Sequence, residues 1–265
     1  MDYFDNWIDN NSGSGDYETP EDAGDAPFIR TARIDPECEI PDEFPFDLPL
    51  IKNMGLIKFH PAVTFIAGEN GSGKSTLMEA IAMAMKFNPE GGSENFYFHT
   101  YESHSYLSDY LELDRGLERP QNGFFLRAES FYNVASEIER IGPWLLDSYG
   151  GKSLHQQSHG ESFKALVMHR FGYNGIYILD EPESALSAKS EIEILSRLHH
   201  LVKNNCQFII ATHSPILLSY PRAKIYECQD GQLNVVNYED SQAYQNTKEY
   251  LDNYQDILKH ILKGH

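Results

Sequence analysis

The stretch that most constrains the fold of this chain is Gly68-Glu69-Asn70-Gly71-Ser72-Gly73-Lys74-Ser75-Thr76. It fits the phosphate-cradling loop G-x-x-x-x-G-K-[ST] in full. An apolar run, Val63 to Ala67, precedes it, and a helical pattern, Leu77 to Lys86, follows. A strand that feeds such a loop into a helix is the context that turns the pattern into a nucleotide site. Glycines at 68, 71 and 73 let the backbone wrap so that consecutive N–H groups converge on one phosphate. The helix N-terminus adds partial positive charge and unpaired donors. Lys74 is expected on the β- and γ-phosphates, Ser75 on Mg²⁺ and Thr76 near the α-phosphate.

The rest of the chain fits that assignment. Its 265 residues suffice for one large α/β domain, and a hydrophobic content of 41% can fill a core. The net charge of −19 argues against a chain-wide basic surface for nucleic acid. Much of the acidity lies in residues 1–27, ahead of the first basic residue, Arg30. That segment carries too little apolar surface to offset ordering and is expected to be disordered. Its Tyr3, Phe4, Trp7 and Ile8 leave docking on a partner as the other reading. The three cysteines, Cys38, Cys206 and Cys228, show neither a disulfide framework nor zinc spacing. With no secretory signal and no membrane-length apolar run, the chain is expected to be cytoplasmic, with no membrane insertion.

Apolar runs at Leu56–Phe59, Val63–Ala67, Phe124–Ala128, Ile176–Leu179 and Gln207–Thr212 read as strands. Helical patterns cover Phe131–Ile141, Phe163–Phe171, Ala188–Lys203 and Ser241–Leu262. Ala223–Cys228 and Leu233–Tyr238 flank Asp230-Gly231, a hairpin signal. Residues 88–122 read as an irregular insertion with a short helix near Tyr106–Leu113. Alternating strands and helices imply a mainly parallel sheet covered on both faces.

Three further constellations carry candidate chemistry. Ile176 to Leu179 ends in Asp180-Glu181-Pro182, an apolar strand delivering two carboxylates. Beside a triphosphate, Asp180 would hold Mg²⁺ and Glu181 would orient and deprotonate the attacking water. Ser158-His159-Gly160-Glu161 precedes a helix and reads either as a second anion site or as an ordinary N-cap. Thr212-His213-Ser214 ends a strand, where His213 either senses the γ-phosphate or serves the turn.

The order of these four pieces is that of the ABC-type ATPases, and the chain resembles that superfamily. Ser158-His159-Gly160-Glu161 is similar to its signature segment, Ser184-Ala185-Leu186-Ser187 to its D-loop, and His213 falls at its switch histidine. More narrowly, Phe124 to Phe131 and Asp147 to Gly151 resemble stretches of a small group of stand-alone bacterial ATPases related to the SMC-like group. His159 stands where the signature usually has Gly, and Glu129 is the best match to the lid glutamine.

The resemblance implies a P-loop NTPase fold with a helical signature subdomain and antiparallel additions. It makes residues 28–265 one ATPase domain, with 88–172 as lid insertion and signature helix. It implies ATP and Mg²⁺ as ligands. Gly68 to Thr76, with Ser158, Gly160 and Glu161, would bind nucleotide. Ser75, Asp180 and Glu129 would serve the metal, and Lys74, Glu181 and His213 catalysis. It further implies an ATP-dependent head-to-tail homodimer in which Ser158 acts in trans, with DNA or a defence or repair protein as partner. The short spacing between the phosphate loop and Ser158 excludes a long coiled-coil insert. A transporter's nucleotide-binding subunit and a non-turnover ATP sensor are the alternatives.

Overall fold

A computed structural model of the chain describes residues 28–93, 106–142 and 146–263. The expected acidic tail, residues 1–27, and part of the 88–122 insertion, including His99 and His104, lie outside the described residues. Nine strands are described: β1 Ile29–Ile34, β2 Ile57–Lys58, β3 Val63–Gly68, β4 Leu111–Arg115, β5 Asn122–Arg127, β6 Gly175–Asp180, β7 Gln207–Thr212, β8 Lys224–Gln229 and β9 Gln232–Val236. The helices are α1 Pro49–Lys52, α2 Lys74–Ala84, α3 Phe131–Ile141, α4 His159–Arg170, α5 Ala188–Val202, α6 Pro215–Leu218 and α7 Gln242–Lys263.

Six strands form one sheet in the order β5-β6-β7-β3-β8-β9. The first five run parallel, and β9 returns antiparallel from β8. The return uses Asp230 and Gly231, both at positive φ (50° and 75°), the geometry of a tight two-residue hairpin. The central strands β6 and β7 are buried along their whole length. That is why they read as unbroken apolar runs.

Alternate residues of these strands enter two cores. Phe65, Phe124, Tyr177, Leu179, Phe208 and Ile210 pack with α3, α4, α5 and α6. Ile66, Phe125, Ile176, Ile178, Ile209 and Ala211 pack with α1, α2 and β1. The period of two along a strand thus divides its side chains between two helix layers. The expected fold class, a mainly parallel sheet with helices on both faces and antiparallel additions, is what the chain adopts.

One expectation is corrected. Tyr106–Leu113 is helical only in its first part: a 3₁₀ helix at Tyr106–Tyr110 leads directly into β4. Leu-Glu-Leu-Asp has helix-forming residues, but β4 gains a full antiparallel partner in β1, and pairing overrides local preference. β1 itself gave no signal. It and β2 complete a three-stranded sheet, in the order β2-β1-β4. No helix of the described residues is long and apolar enough to cross a membrane.

One buried side chain ties the two sheets together. Gln207, at the start of β7, accepts the Ile29 N–H at 2.9 Å and donates to the Ile29 carbonyl at 2.8 Å and the His60 carbonyl at 3.1 Å. Replacement by Leu leaves these backbone groups buried without partners, each costing about 1–3 kcal/mol. With three such groups, Gln207→Leu is therefore expected to lower stability by about 3 kcal/mol or more. Urea unfolding checks this: the midpoint should drop with the slope unchanged.

Candidate nucleotide and metal site

Because β5, β6, β7 and β3 run parallel, their C-terminal ends share one sheet edge, where open α/β sheets bind ligands. Arg127 pairs with Asp180, Asp180 with Ala211, and Ala67 with Thr212. That registration brings the phosphate loop, the Asp180-Glu181 pair, His213 and Glu129 to a single edge.

The loop leaves β3 at Gly68. Gly71 and Gly73 have φ of 80° and 96°, and Gly73 serves as the N-cap of α2. It supplies no side-chain acceptor, so the first N–H groups of α2 are left as donors for a ligand. Lys74 is 2% exposed, and its Nζ donates to the Gly68 carbonyl at 2.8 Å and the Glu69 carbonyl at 2.7 Å. The ammonium is thus folded back into the loop, held by the carbonyls of its own turn.

Ser75 Oγ donates to Asp180 Oδ1 at 3.1 Å, joining the loop to the end of β6. Asp180 is 3% exposed. Burial raises its carboxyl to about 6, and the Glu181 and Glu129 charges push the same way; Arg127 and the Ser75 hydroxyl pull it down. Burial outweighs the ion pair here, as is usual for a charge removed from water. Glu181 has a φ of 49° and donates its N–H to the Ala211 carbonyl at 3.0 Å, which fixes the chain as it leaves β6.

Arg127 received no role from the sequence. Its guanidinium lies 3.1 Å from Glu79, 3.4 Å from Glu129 and 3.5 Å from Asp180. One cation therefore serves three carboxylates. Glu129 is 81% exposed, so its pairing is a weak surface contact. The signal for Arg127 was its place at the end of a strand, but only the registration of β5 with β6 puts it beside Asp180.

The signature-like segment sits apart from this network. Ser158 caps α4 in a reciprocal capping box: its Oγ accepts the Glu161 N–H, and Glu161 Oε2 accepts the Ser158 N–H at 3.0 Å. The N-cap reading of Ser158 is thus what the local geometry shows. Its hydrogen bonds all go to Glu161 and Ser162. His159 is the first helical residue, with its ring against Phe131 at 5.5 Å, so the missing signature glycine requires no left-handed backbone there. Gly160 packs so closely on the turn after Glu181 that a Cβ would lie 2.6 Å from the Ala185 carbonyl oxygen.

The donor set suits a hard divalent cation. Ser75 and Asp180 offer oxygen, and Mg²⁺ is commonly held by one or two protein oxygens together with substrate phosphates. Among the described residues no group of three or more His, Cys, Asp or Glu side chains forms a protein-only metal cage.

Comparison with known proteins adds the lineage. A family model described as "AAA domain" (AAA_23) matches residues 52–263. The zinc transport system ATP-binding protein AdcC of Streptococcus pneumoniae is 23% identical over 195 residues, covering 66% of this chain and 79% of AdcC. The nisin transport ATP-binding protein NisT of Lactococcus lactis is 30% identical over 222 residues, 72% of this chain but 35% of NisT. A nucleotide-free ATP-binding cassette from an ABC transporter aligns with a TM-score of 0.48 at 17% identity, over 82% of this chain and 94% of that one. The SMC head domain from Thermotoga maritima aligns at 0.36 and 20% identity, over 69% and 92%.

The raised Asp180 carboxyl predicts a pH-dependent stability in the absence of nucleotide. The folded protein holds this proton up to about pH 6, whereas an unfolded aspartate releases it near its ordinary value of about 3.9. The proton's contribution is fully present below that value and is lost as pH rises through about 6. At pH 7.5, Asp180→Asn should therefore stabilise the nucleotide-free protein by about 1–3 kcal/mol, and the gain should vanish below about pH 4. Thermal unfolding across pH reads both. With residues 52–263 matched, the chain belongs to the AAA domain family of P-loop ATPases, and it binds and hydrolyses ATP.

Proposed function

We propose that this chain works as an Mg²⁺-dependent ATPase whose nucleotide closes a head-to-tail pair of copies. The observation that carries the first half is the Ser75–Asp180 hydrogen bond, which joins the phosphate loop to the strand-end carboxylates. Ser75 and Asp180 would hold Mg²⁺, with Glu129 as the outer candidate. Bound there, the cation would neutralise phosphate charge. Lys74 would leave its loop carbonyls for the β- and γ-phosphates, and the glycine-rich backbone from Gly68 to Thr76 would cradle them. Glu181 would take the proton of the water that attacks the γ-phosphorus as the bond to the bridging oxygen breaks. His213 would contact the γ-phosphate from the end of β7.

The second half is supported by the signature-like segment. Its hydrogen bonds are satisfied within α4, and Gly160 is seated on the turn that follows Glu181. Ser158, Gly160 and Glu161 are therefore carried as one block with that turn, and they would present the helix N-terminus to the nucleotide of a second copy. Loss of the γ-phosphate would remove that contact and open the pair. The resemblance to the SMC-like group supports a cytoplasmic role in DNA maintenance or defence, with DNA or a repair protein as partner. A second reading, the ATP-binding subunit of a transporter, has the names of AdcC and NisT in its favour. Affinity capture with Glu181→Gln in ATP separates them: permease subunits favour the transporter, DNA or a nuclease the first reading.

Light scattering tests the pairing. Glu181→Gln in saturating Mg-ATP is expected to run as a stable dimer, and adding Ser158→Arg should return it to the monomer. A Glu181→Gln protein that stays monomeric under those conditions would contradict the proposal.

A further inference from the structure

Glu183 lies two residues beyond Glu181, in the 3₁₀ turn Pro182–Ala185. Its side chain is 7% exposed, a rare position for glutamate. Oε1 accepts the backbone N–H of His213 at 2.6 Å and lies 3.1 Å from His213 Nδ1. Oε2 is buried without a hydrogen-bond partner. A second buried carboxylate, Glu191 in the first turn of α5, accepts the Ser214 hydroxyl, and Ser214 in turn caps α6. The Glu191 charge also interacts with Glu183 and with His213.

A neutral acceptor would satisfy one backbone N–H equally well. Keeping a carboxylate here incurs the penalty of burial twice over, with Glu191 close by. That expense is accounted for if the charge acts on the ring. A carboxylate at Nδ1 fixes which ring nitrogen carries the proton and how the ring is turned. The same turn holds Glu181, whose N–H is tied to Ala211 of β7. One short segment therefore governs both the proposed general base and the histidine.

We infer that Glu183 is a positioning residue for ATP hydrolysis: it holds the Nδ1–H of His213, so that Nε2 is the ring atom that meets the γ-phosphate. This rests on the γ-phosphate role proposed for His213. Glu183 itself touches neither nucleotide nor water in the reaction.

A double-mutant cycle in steady-state ATPase assays tests it. Glu183→Ala should lower kcat about tenfold or more with the KM for ATP changed less than about twofold. Glu183→Gln keeps an acceptor for Nδ1–H but removes the charge, and should recover only part of that loss. In a His213→Ala background, Glu183→Ala should lower kcat less than about twofold further. An equal loss in both backgrounds would overturn the inference. A His213→Ala protein with unchanged kcat would instead refute the reading of His213 itself. Because Glu183→Ala could unfold the turn, a second measurement uses the unaltered chain. Imidazole ¹⁵N spectra at pH 8, assigned by difference from His213→Ala, should show the His213 proton on Nδ1. A proton on Nε2 would overturn the inference.

Discussion

The parallel registration of β5, β6, β7 and β3 is the constraint on which the rest of this molecule depends. Parallel strands end on the same side, so each strand delivers its last residues to one edge. Arg127, Asp180 and Ala211 stand side by side in the hydrogen-bonding direction. No single segment of sequence holds the site. A shift of one residue in β6 would turn Asp180 to the other face and away from Ser75. The two apolar cores enforce that register. Each strand sends Phe65, Tyr177 or Phe208 to one face and Ile66, Ile178 or Ile209 to the other.

The edge is costly to assemble. Asp180 is buried with its own carboxyl raised, Glu183 keeps an orphaned oxygen, and Arg127 is divided among three acids. Lys74 is folded back onto carbonyls of its own loop. Such local conflict is common at functional sites, where groups are arranged for a ligand's charge more than for the empty fold. Under the proposed function, phosphates would supply negative charge for Lys74 and for the N–H groups of α2, and a divalent cation would supply positive charge for Asp180. A metal–nucleotide complex would bring both signs at once.

Much of this was legible in the sequence, for physical reasons. Strands buried on both faces, such as β6 and β7, cannot carry polar residues except at their ends, so Ile176–Leu179 and Gln207–Thr212 announce themselves. The phosphate loop is legible because its backbone demands glycines at fixed places. What stayed hidden depends on distant pairing. β1 reads Ile-Arg-Thr-Ala-Arg-Ile, too polar to mark itself, and exists because β4 lies beside it from some eighty residues away. Leu111 to Leu113, the start of β4, reads as the end of a short helix for the same reason. Arg127 and Glu183 are hidden at the level of side chains: each looks like an ordinary surface charge until strand registration places it next to Asp180 or His213. Ser158 shows the opposite case, since its S-x-x-E spacing already spells the capping box that the helix forms.

In the proposed head-to-tail pair each nucleotide site would be shared, with Gly68–Thr76, Asp180 and Glu181 from one copy and Ser158 from another. Mixing two inactive variants measures this directly. Lys74→Ala retains an intact Ser158 segment, and Ser158→Arg retains an intact phosphate loop. A mixed pair therefore rebuilds one whole site from two broken chains. Sharing predicts that an equimolar mixture of the two regains ATPase activity, up to about a quarter of the unaltered protein's rate for random pairing. A mixture no more active than its separate components would contradict the account.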